Sequence, residues 1–383
     1  MQKKIYIKSF ASISSLGISS DEVWDNYCHN KSQITFQKIG NKEVCASSLS
    51  KKEKVAIENL KNSDIKYKSL DNSVLYAIYA SRQAIKKANW SEKDVFGINI
   101  GSSRGATELF EKYHEEFLKS GKTPTLTSPT TTLGNISTWV AHDLKSSGPE
   151  ISHSITCSTA LHALLNGVAW LRAEMAEKFL VGGSEAPLTT FTIAQMQALK
   201  IYANDNSEYP CQSLNLDKKS NTLVLGEGAA VICLDKNPKK AICFIEGMGY
   251  ATDDLQHNIS ISEEAECFQK SMEMALKNVL LSDVDVIVMH APGTIKGDLS
   301  EFKAIEKLFG ANLPMLTSNK WKIGHTFGAS GMLSIELAIL MLQNQKFIGV
   351  PFVKSPETKS SIKKVLINAV GFGGNAVSVL LSL

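Results

Sequence analysis

The chain has 383 residues, of which 43% are hydrophobic and 21% charged, proportions of a folded globular protein long enough for two ordinary cores. A net charge of +3 lacks the large basic excess of a dedicated nucleic-acid binder. Seven cysteines with no CxxC pair fit reduced thiols better than a disulfide frame or a zinc site. No apolar run nears the roughly 20 residues that span a bilayer. Lys3-Lys4 is followed at once by Lys8-Ser9, so no signal peptide is expected and the chain reads as cytoplasmic.

In chain order, Ile5-Tyr6-Ile7 opens as a strand, and 70–87 places Val74, Leu75, Ile78 and Ile85 on one helical face. Phe96 to Gly101 reads as a buried strand. Ser154-Ile155-Thr156 leads into an Ala- and Leu-rich helix over 158–173. Phe179 to Gly183 is expected to be a strand stopped by glycine, and 223–234 two short strands around Gly226-Glu227-Gly228. The rhythm then repeats: strand 242–250, helix 265–279, strand 284–289 ending at His290, helix 329–342, and two strands over 365–383 around a glycine-rich turn. Alternating strands and helices predict parallel sheets covered on both faces. Pro and Lys interrupt the pattern at 236–241, which divides the chain into halves 1–238 and 239–383.

Cys157 follows a β-branched pair and begins a helix. The positive end of a helix dipole favours thiolate and lowers the thiol pKa, which suits a covalent nucleophile. A cysteine is as often a small buried hydrophobe, and position alone leaves the two readings level; the other six cysteines are read as structural. His290 and His325 sit at strand ends beside glycine-rich turns, where open α/β sheets build their sites. His29, His114 and His257 are read as structural, and His162 as packing. The segment 368–376, with Gly371, Phe372, Gly373 and Gly374 at its centre, could bring backbone N–H groups close to a ligand. It is equally consistent with a simple hairpin.

Taken in order, these pieces resemble the elongating β-ketoacyl-acyl-carrier-protein synthases of the thiolase-like superfamily. The matching stretches are Thr156-Cys157-Ser158, Leu225 to Ala229, His290 with Gly297-Asp298 and Glu301, Lys320 with Gly324-His325 and Gly328 to Gly331, and Gly371 to Ala376. The resemblance implies an α/β fold, a duplicated βαβαβαββ unit in a five-layered α/β/α/β/α core, usually dimeric. It implies decarboxylating Claisen condensation in fatty-acid or polyketide elongation, with substrates carried on the phosphopantetheine of an acyl carrier protein and no cofactor or metal. Cys157 would take the acyl group. His290 and His325 would stabilise developing negative charge. Lys320 would orient the histidines, paired with Glu301, with Asp298 in support. The N–H groups of Cys157 and Phe372 would form the oxyanion hole, and Phe372 would gate the acyl pocket. Thr294, Gly371 and Gly373 would line the substrate site. Lys51, Lys52 and Lys54 fall where the family docks its acidic carrier protein, although a merely solvated helix start explains them as well.

Three departures set this chain apart. The usual His-Gly-Thr-x-Thr reads His290-Ala291-Pro292-Gly293-Thr294, which loses one hydroxyl that contacts the pantetheine arm. The glutamate usual nine residues after the second histidine is Ser334, with Glu336 two positions later. The usual Arg-Asp-Gly reads Ser220-Asn221-Thr222. They point to a divergent synthase, in a secondary pathway making polyene or polyketide chains. A thiolase is disfavoured, because 371–376 lacks a second cysteine. A chain-length-factor-like partner subunit of a heterodimer is the alternative; such subunits typically lose the nucleophile.

Overall fold

The computed structural model describes residues 3–204, 207–254, 262–354 and 361–383; His257 lies outside them. Its strands are β1 (Ile5–Ser14), β2 (Thr35–Ile39), β3 (Lys42–Ser47), β4 (Gly97–Gly101), β5 (Glu150–Ile151), β6 (Lys178–Glu185), β7 (Leu225–Gly226), β8 (Gly228–Asp235), β9 (Cys243–Thr252), β10 (Val286–Val288), β11 (Met315–Thr317), β12 (Lys364–Val370) and β13 (Asn375–Ser382). Ten of them share one sheet in the order β11-β10-β12-β13-β9-β1-β8-β6-β4-β5, while β2, β3 and β7 form a small separate sheet.

The large sheet is one pattern written twice. In the first half β5, β4 and β6 are parallel, and β8 and β1 follow antiparallel. In the second half β11, β10 and β12 are parallel, and β13 and β9 follow antiparallel. The halves meet where β1 pairs antiparallel with β9, Ile5 opposite Ile245 and Ile7 opposite Cys243. The parallel sheets expected from the alternation of strands and helices are corrected to mixed ones. Helices cover both faces of β8 and β13, so these antiparallel strands carry the same unbroken apolar runs as parallel strands. Burial pattern cannot distinguish strand direction there.

Helices complete five layers. The helix Thr159–Arg172 packs on β4 and β6 and against the helix Ser330–Asn344, which also touches β12 and β8. Every residue from Ser330 to Leu342 is buried, as befits a helix that is apolar all round. Outside this middle layer, Asn72–Ala88 covers β1 and β8 on one side, and Glu266–Ala275 covers β9 and β13 on the other.

One boundary matters for the site. β6 does not stop at its glycines but runs through them to Glu185, pairing Gly183 with Ala230. A Cβ on Gly183 would lie 2.6 Å from the carbonyl oxygen of Gly328. These glycines admit a close neighbour rather than end a strand.

Candidate active site

The chain enters the site through Thr156, whose φ of 46° is left-handed, a strained conformation for a β-branched residue. Thr159 holds the bend: its hydroxyl donates to Thr156 O at 2.6 Å and accepts from Ile155 N–H at 2.8 Å. Cys157 follows, immediately before Ser158, the N-cap of the helix Thr159–Arg172. It is only 5% exposed and sits in an apolar cluster with Met196, Leu223 and Phe327.

The turn between β12 and β13 closes over this bend. Thr156 Oγ1 donates to Phe372 O at 3.4 Å, Asn375 Nδ2 to the same oxygen at 3.3 Å, and Ser158 Oγ to Asn375 Oδ1 at 2.6 Å. Position 371 has to be glycine, since a Cβ would lie 1.6 Å from Thr156 Oγ1. Gly373 and Gly374 then take left-handed φ of 93° and 66°. The Phe372 ring is 38% exposed, so it is not a core aromatic. Among the described residues, no backbone carbonyl takes the N–H of Cys157 or of Phe372.

Both histidines arrive from the second half. Glu301, fully buried in the helix Ile295–Phe309, accepts the N–H groups of His290 at 3.0 Å and Ala291 at 2.8 Å, and Asn368 Nδ2 at 3.2 Å. His325 is fixed beside β7, its N–H donating to Val224 O at 2.6 Å and its carbonyl accepting from Gly226 N–H at 3.1 Å. The two imidazoles lie edge to face with ring centroids 5.2 Å apart. In each, Nδ1 is buried without a hydrogen-bond partner among the described residues. Together with Cys157, Asn221, Pro292, Thr294, Gly371 and Phe372 they line a single cavity of about 210 Å³.

Burial decides the electrostatics. It pushes the Cys157 thiol up to about 12, helped by the Glu185 carboxylate and opposed by Lys320 and Arg104. The expected lowering by the helix dipole is thus corrected: loss of hydration outweighs it, and the resting group is the thiol. Burial also lowers both histidines well below their ordinary value, with Lys320 adding to the effect. They are neutral, each with one N–H donor and one acceptor nitrogen. Lys320 is 1% exposed; burial lowers its pKa, and Glu301, Cys211 and Cys157 oppose that through space. No ion pair within 4 Å forms between Lys320 and Glu301, so the expected pairing is corrected to coupling at a distance. Glu301 instead spends its oxygens on the backbone of the His290 turn. Ser334 carries no charge, and Glu336 accepts from Ser12 Oγ at 2.5 Å.

Asp298 anchors the same turn. It accepts from Gly293 N–H at 2.9 Å and Leu214 N–H at 2.9 Å, and pairs with buried Lys218 at 2.8 Å. Thr294 caps the helix, accepting Gly297 N–H at 3.2 Å. Lys51, Lys52 and Lys54 are exposed at the start of the helix Lys51–Ser63, capped by Ser50 and buried Glu53, and none lines this cavity. Lys52 is tied to Glu22 at 2.7 Å.

Sequence reasoning missed Glu185, Lys218 and Arg104. Glu185 ends β6 fully buried and accepts from Ser103 N–H and from Gly328 N–H at 3.1 Å; burial raises it to about 7. Its position at a strand end, the same cue that singled out His290, could have found it. Arg104 lies over the Phe327 ring at 5.1 Å, and no local pattern marks it.

The model of the β-ketoacyl synthase N-terminal domain matches residues 2–240, and that of the C-terminal domain residues 242–351. The 3-oxoacyl-[acyl-carrier-protein] synthase 2 of Staphylococcus aureus is 28% identical over 341 residues, covering 81% of this chain and 84% of the relative. That of Coxiella burnetii is 26% identical, covering 100% of this chain and 99% of its own. Among solved structures, the ishigamide ketosynthase/chain length factor superposes with a TM-score of 0.88 at 18% identity, covering 100% and 99%. The ketosynthase ApeO in complex with its chain length factor ApeC, from Xenorhabdus doucetiae, superposes at 0.81 with 21% identity, covering 100% and 98%. These likenesses extend over nearly the whole described fold, and the chain belongs to the β-ketoacyl synthase family.

Proposed function

We propose that this chain is an acyltransferase that condenses an acyl thioester with malonyl-carrier protein, losing carbon dioxide, in fatty-acid or polyketide elongation. The observation that carries this reading is the convergence of Cys157 with two neutral, buried histidines on one cavity. Cys157 Sγ attacks the carrier-bound acyl thioester, giving its proton to an imidazole nitrogen, and the carrier thiol leaves with a proton. Malonyl-carrier protein then enters. Its carboxylate leaves as carbon dioxide while His290 and His325 donate to the thioester oxygen on which enolate charge gathers. The carbanion attacks the Cys157 thioester, and the sulfur departs as thiolate, which takes up one proton from solvent to restore the resting thiol. The N–H groups of Cys157 and Phe372 are assigned to the oxyanion of each addition. Lys320 tunes the field at the histidines, Glu301 and Asp298 position the His290 turn, and Thr294 with Gly371 and Gly373 bounds the substrate.

In this reading the chain divides at 238/239, which the repeated strand order supports. The enzyme needs no cofactor or metal, works in the cytoplasm, and acts as a dimer with a copy of itself or with a chain-length-factor-like subunit. No described helix is long and apolar enough to cross a membrane. Retention of Cys157 facing both histidines favours the condensing subunit over a silent partner. Incubation with acyl- and malonyl-carrier protein tests it. A 3-oxoacyl product with equimolar carbon dioxide is expected, and neither product forming would refute it.

A further inference from the structure

The two histidines are held by different carboxylates. Glu301, from the same half, takes the N–H groups of His290 and Ala291. The His325 segment is anchored first at His325 itself, whose N–H donates to Val224 O at 2.6 Å. Among the described residues, the next backbone N–H along the chain that bonds outside the segment is that of Gly328, and its acceptor is Glu185 Oε1 at 3.1 Å. The same oxygen accepts from Ser103 N–H, in the loop after β4. Glu185 is the last residue of β6 and is fully buried. One carboxylate oxygen thus joins β6, the loop after β4 and the His325 segment. The first two belong to the half that carries Cys157, the third to the other half.

The join is close-packed. A Cβ on Gly328 would lie 2.7 Å from Ser103 N, 2.8 Å from Glu185 Oε1 and 3.2 Å from Thr159 Cβ. Thr159 is the residue whose hydroxyl holds the bend before Cys157. Between the anchors at His325 and Gly328 stands Phe327, with a left-handed φ of 39°, a strained conformation for a bulky residue. Such strain persists only where the surroundings over-determine it. The Phe327 ring lies against the His325 imidazole, centroids 5.4 Å apart, and lines the Cys157 cavity. Glu185 is not part of that cavity's wall, so it reaches the substrate only through the segment it holds.

Resting on the ketosynthase reading, we propose that Glu185 is the positioning residue of His325: its buried carboxylate ties the Gly328 end of the histidine's segment to the half that carries Cys157, and so fixes where the imidazole meets the substrate.

The test separates position from charge and from general support. E185A should lower kcat for carbon dioxide release from malonyl-carrier protein by about 10- to 100-fold, the scale on which a displaced group loses rate, with KM and acyl loading of Cys157 within about threefold of wild type. E185Q keeps an acceptor oxygen at the same reach and should recover most of the rate. E185D keeps the charge but falls one methylene short, and should not. Hydrogen exchange gives a readout free of catalysis: in E185A the peptide spanning 324–331 should lose protection, while the peptide around His290, held by Glu301, keeps it. Should E185A fail to fold, G328A disturbs the join from the other side and should show the same pattern. Wild-type kcat with wild-type protection of 324–331 would overturn the proposal. Equal loss of loading and carbon dioxide release would also overturn it, by making Glu185 a general support of the fold. So would recovery by E185D and not by E185Q, which would make charge the active feature. A wild-type enzyme that releases no carbon dioxide would refute the ketosynthase reading, and the exchange result would still decide whether Glu185 holds the segment.

Discussion

The rings of His290 and His325 meet edge to face, 5.2 Å between centroids and 84° between planes, although 35 positions separate them in the chain. Both are buried and neutral, so each has a single N–H to offer to one oxygen. In the proposed mechanism they act as two donors to one developing charge. Replacing either by Ala should therefore cut carbon dioxide release by about 10²–10³-fold, the usual cost of removing one such donor. Acyl loading should fall less. Single-turnover measurement of both half-reactions decides, and an H325A variant that releases carbon dioxide at the wild-type rate would remove His325 from this role.

A thiol pushed up to about 12 makes a prediction about pH. Below that value the thiolate fraction rises tenfold per pH unit, so alkylation of Cys157 by iodoacetamide should climb log-linearly from pH 7 to 10 without a plateau. A plateau beginning near pH 7 would mean that the helix dipole and Lys320 outweigh burial.

Phe372 stands between Gly371 and Gly373 and is 38% exposed. F372A should loosen the order of substrate binding while costing far less stability than the about 3–5 kcal/mol lost on truncating a core aromatic. Thermal melts and inhibition patterns check this together. A core-sized loss would show that the ring holds the β12–β13 turn rather than gating the cavity.

Of the basic run at 51–54, Lys52 is already paired with Glu22, which leaves Lys51 and Lys54 with the greater pull on an acidic carrier protein. Reversing these two to Glu should raise the KM for carrier-bound substrate several-fold and weaken its salt dependence. Turnover of a small free thioester is the control, and equal loss of both would place carrier docking elsewhere.

Much of this was legible in the sequence, for reasons particular residues make plain. The 3.6-residue spacing of Val74, Leu75 and Ile78 marked a helix, although residues 73–81 are buried or half-buried on every side and only the turns from Arg82 onward reach solvent. His290 was legible because it follows the end of β10 and adjoins a turn, where side chains converge, whereas His325, expected at a strand end, follows the short helix Lys320–Ile323, and Cys157 lies beyond the end of β5 at a helix start. The strand directions were not, since β8 and β13 are covered on both faces. Nor was the Asp298–Lys218 pair, which joins residues 80 apart in the chain. Gly182-Gly183 read as a stop because spacing cannot reveal that Gly328 packs against the strand there. The thiol's raised pKa escaped as well: helix position is written locally, but burial by Met196, Leu223 and Phe327 is a product of the whole fold.

The assignment of Cys157 as the acyl acceptor is tested most directly by trapping the acyl-enzyme and mapping the label. Protein incubated with acyl-carrier protein and no malonyl donor, then digested under acidic conditions, should carry one acyl group, on the peptide containing Cys157, and C157A should carry none. An acyl group on Cys211 or another cysteine with Cys157 unmodified, or undiminished labelling of C157A, would contradict it.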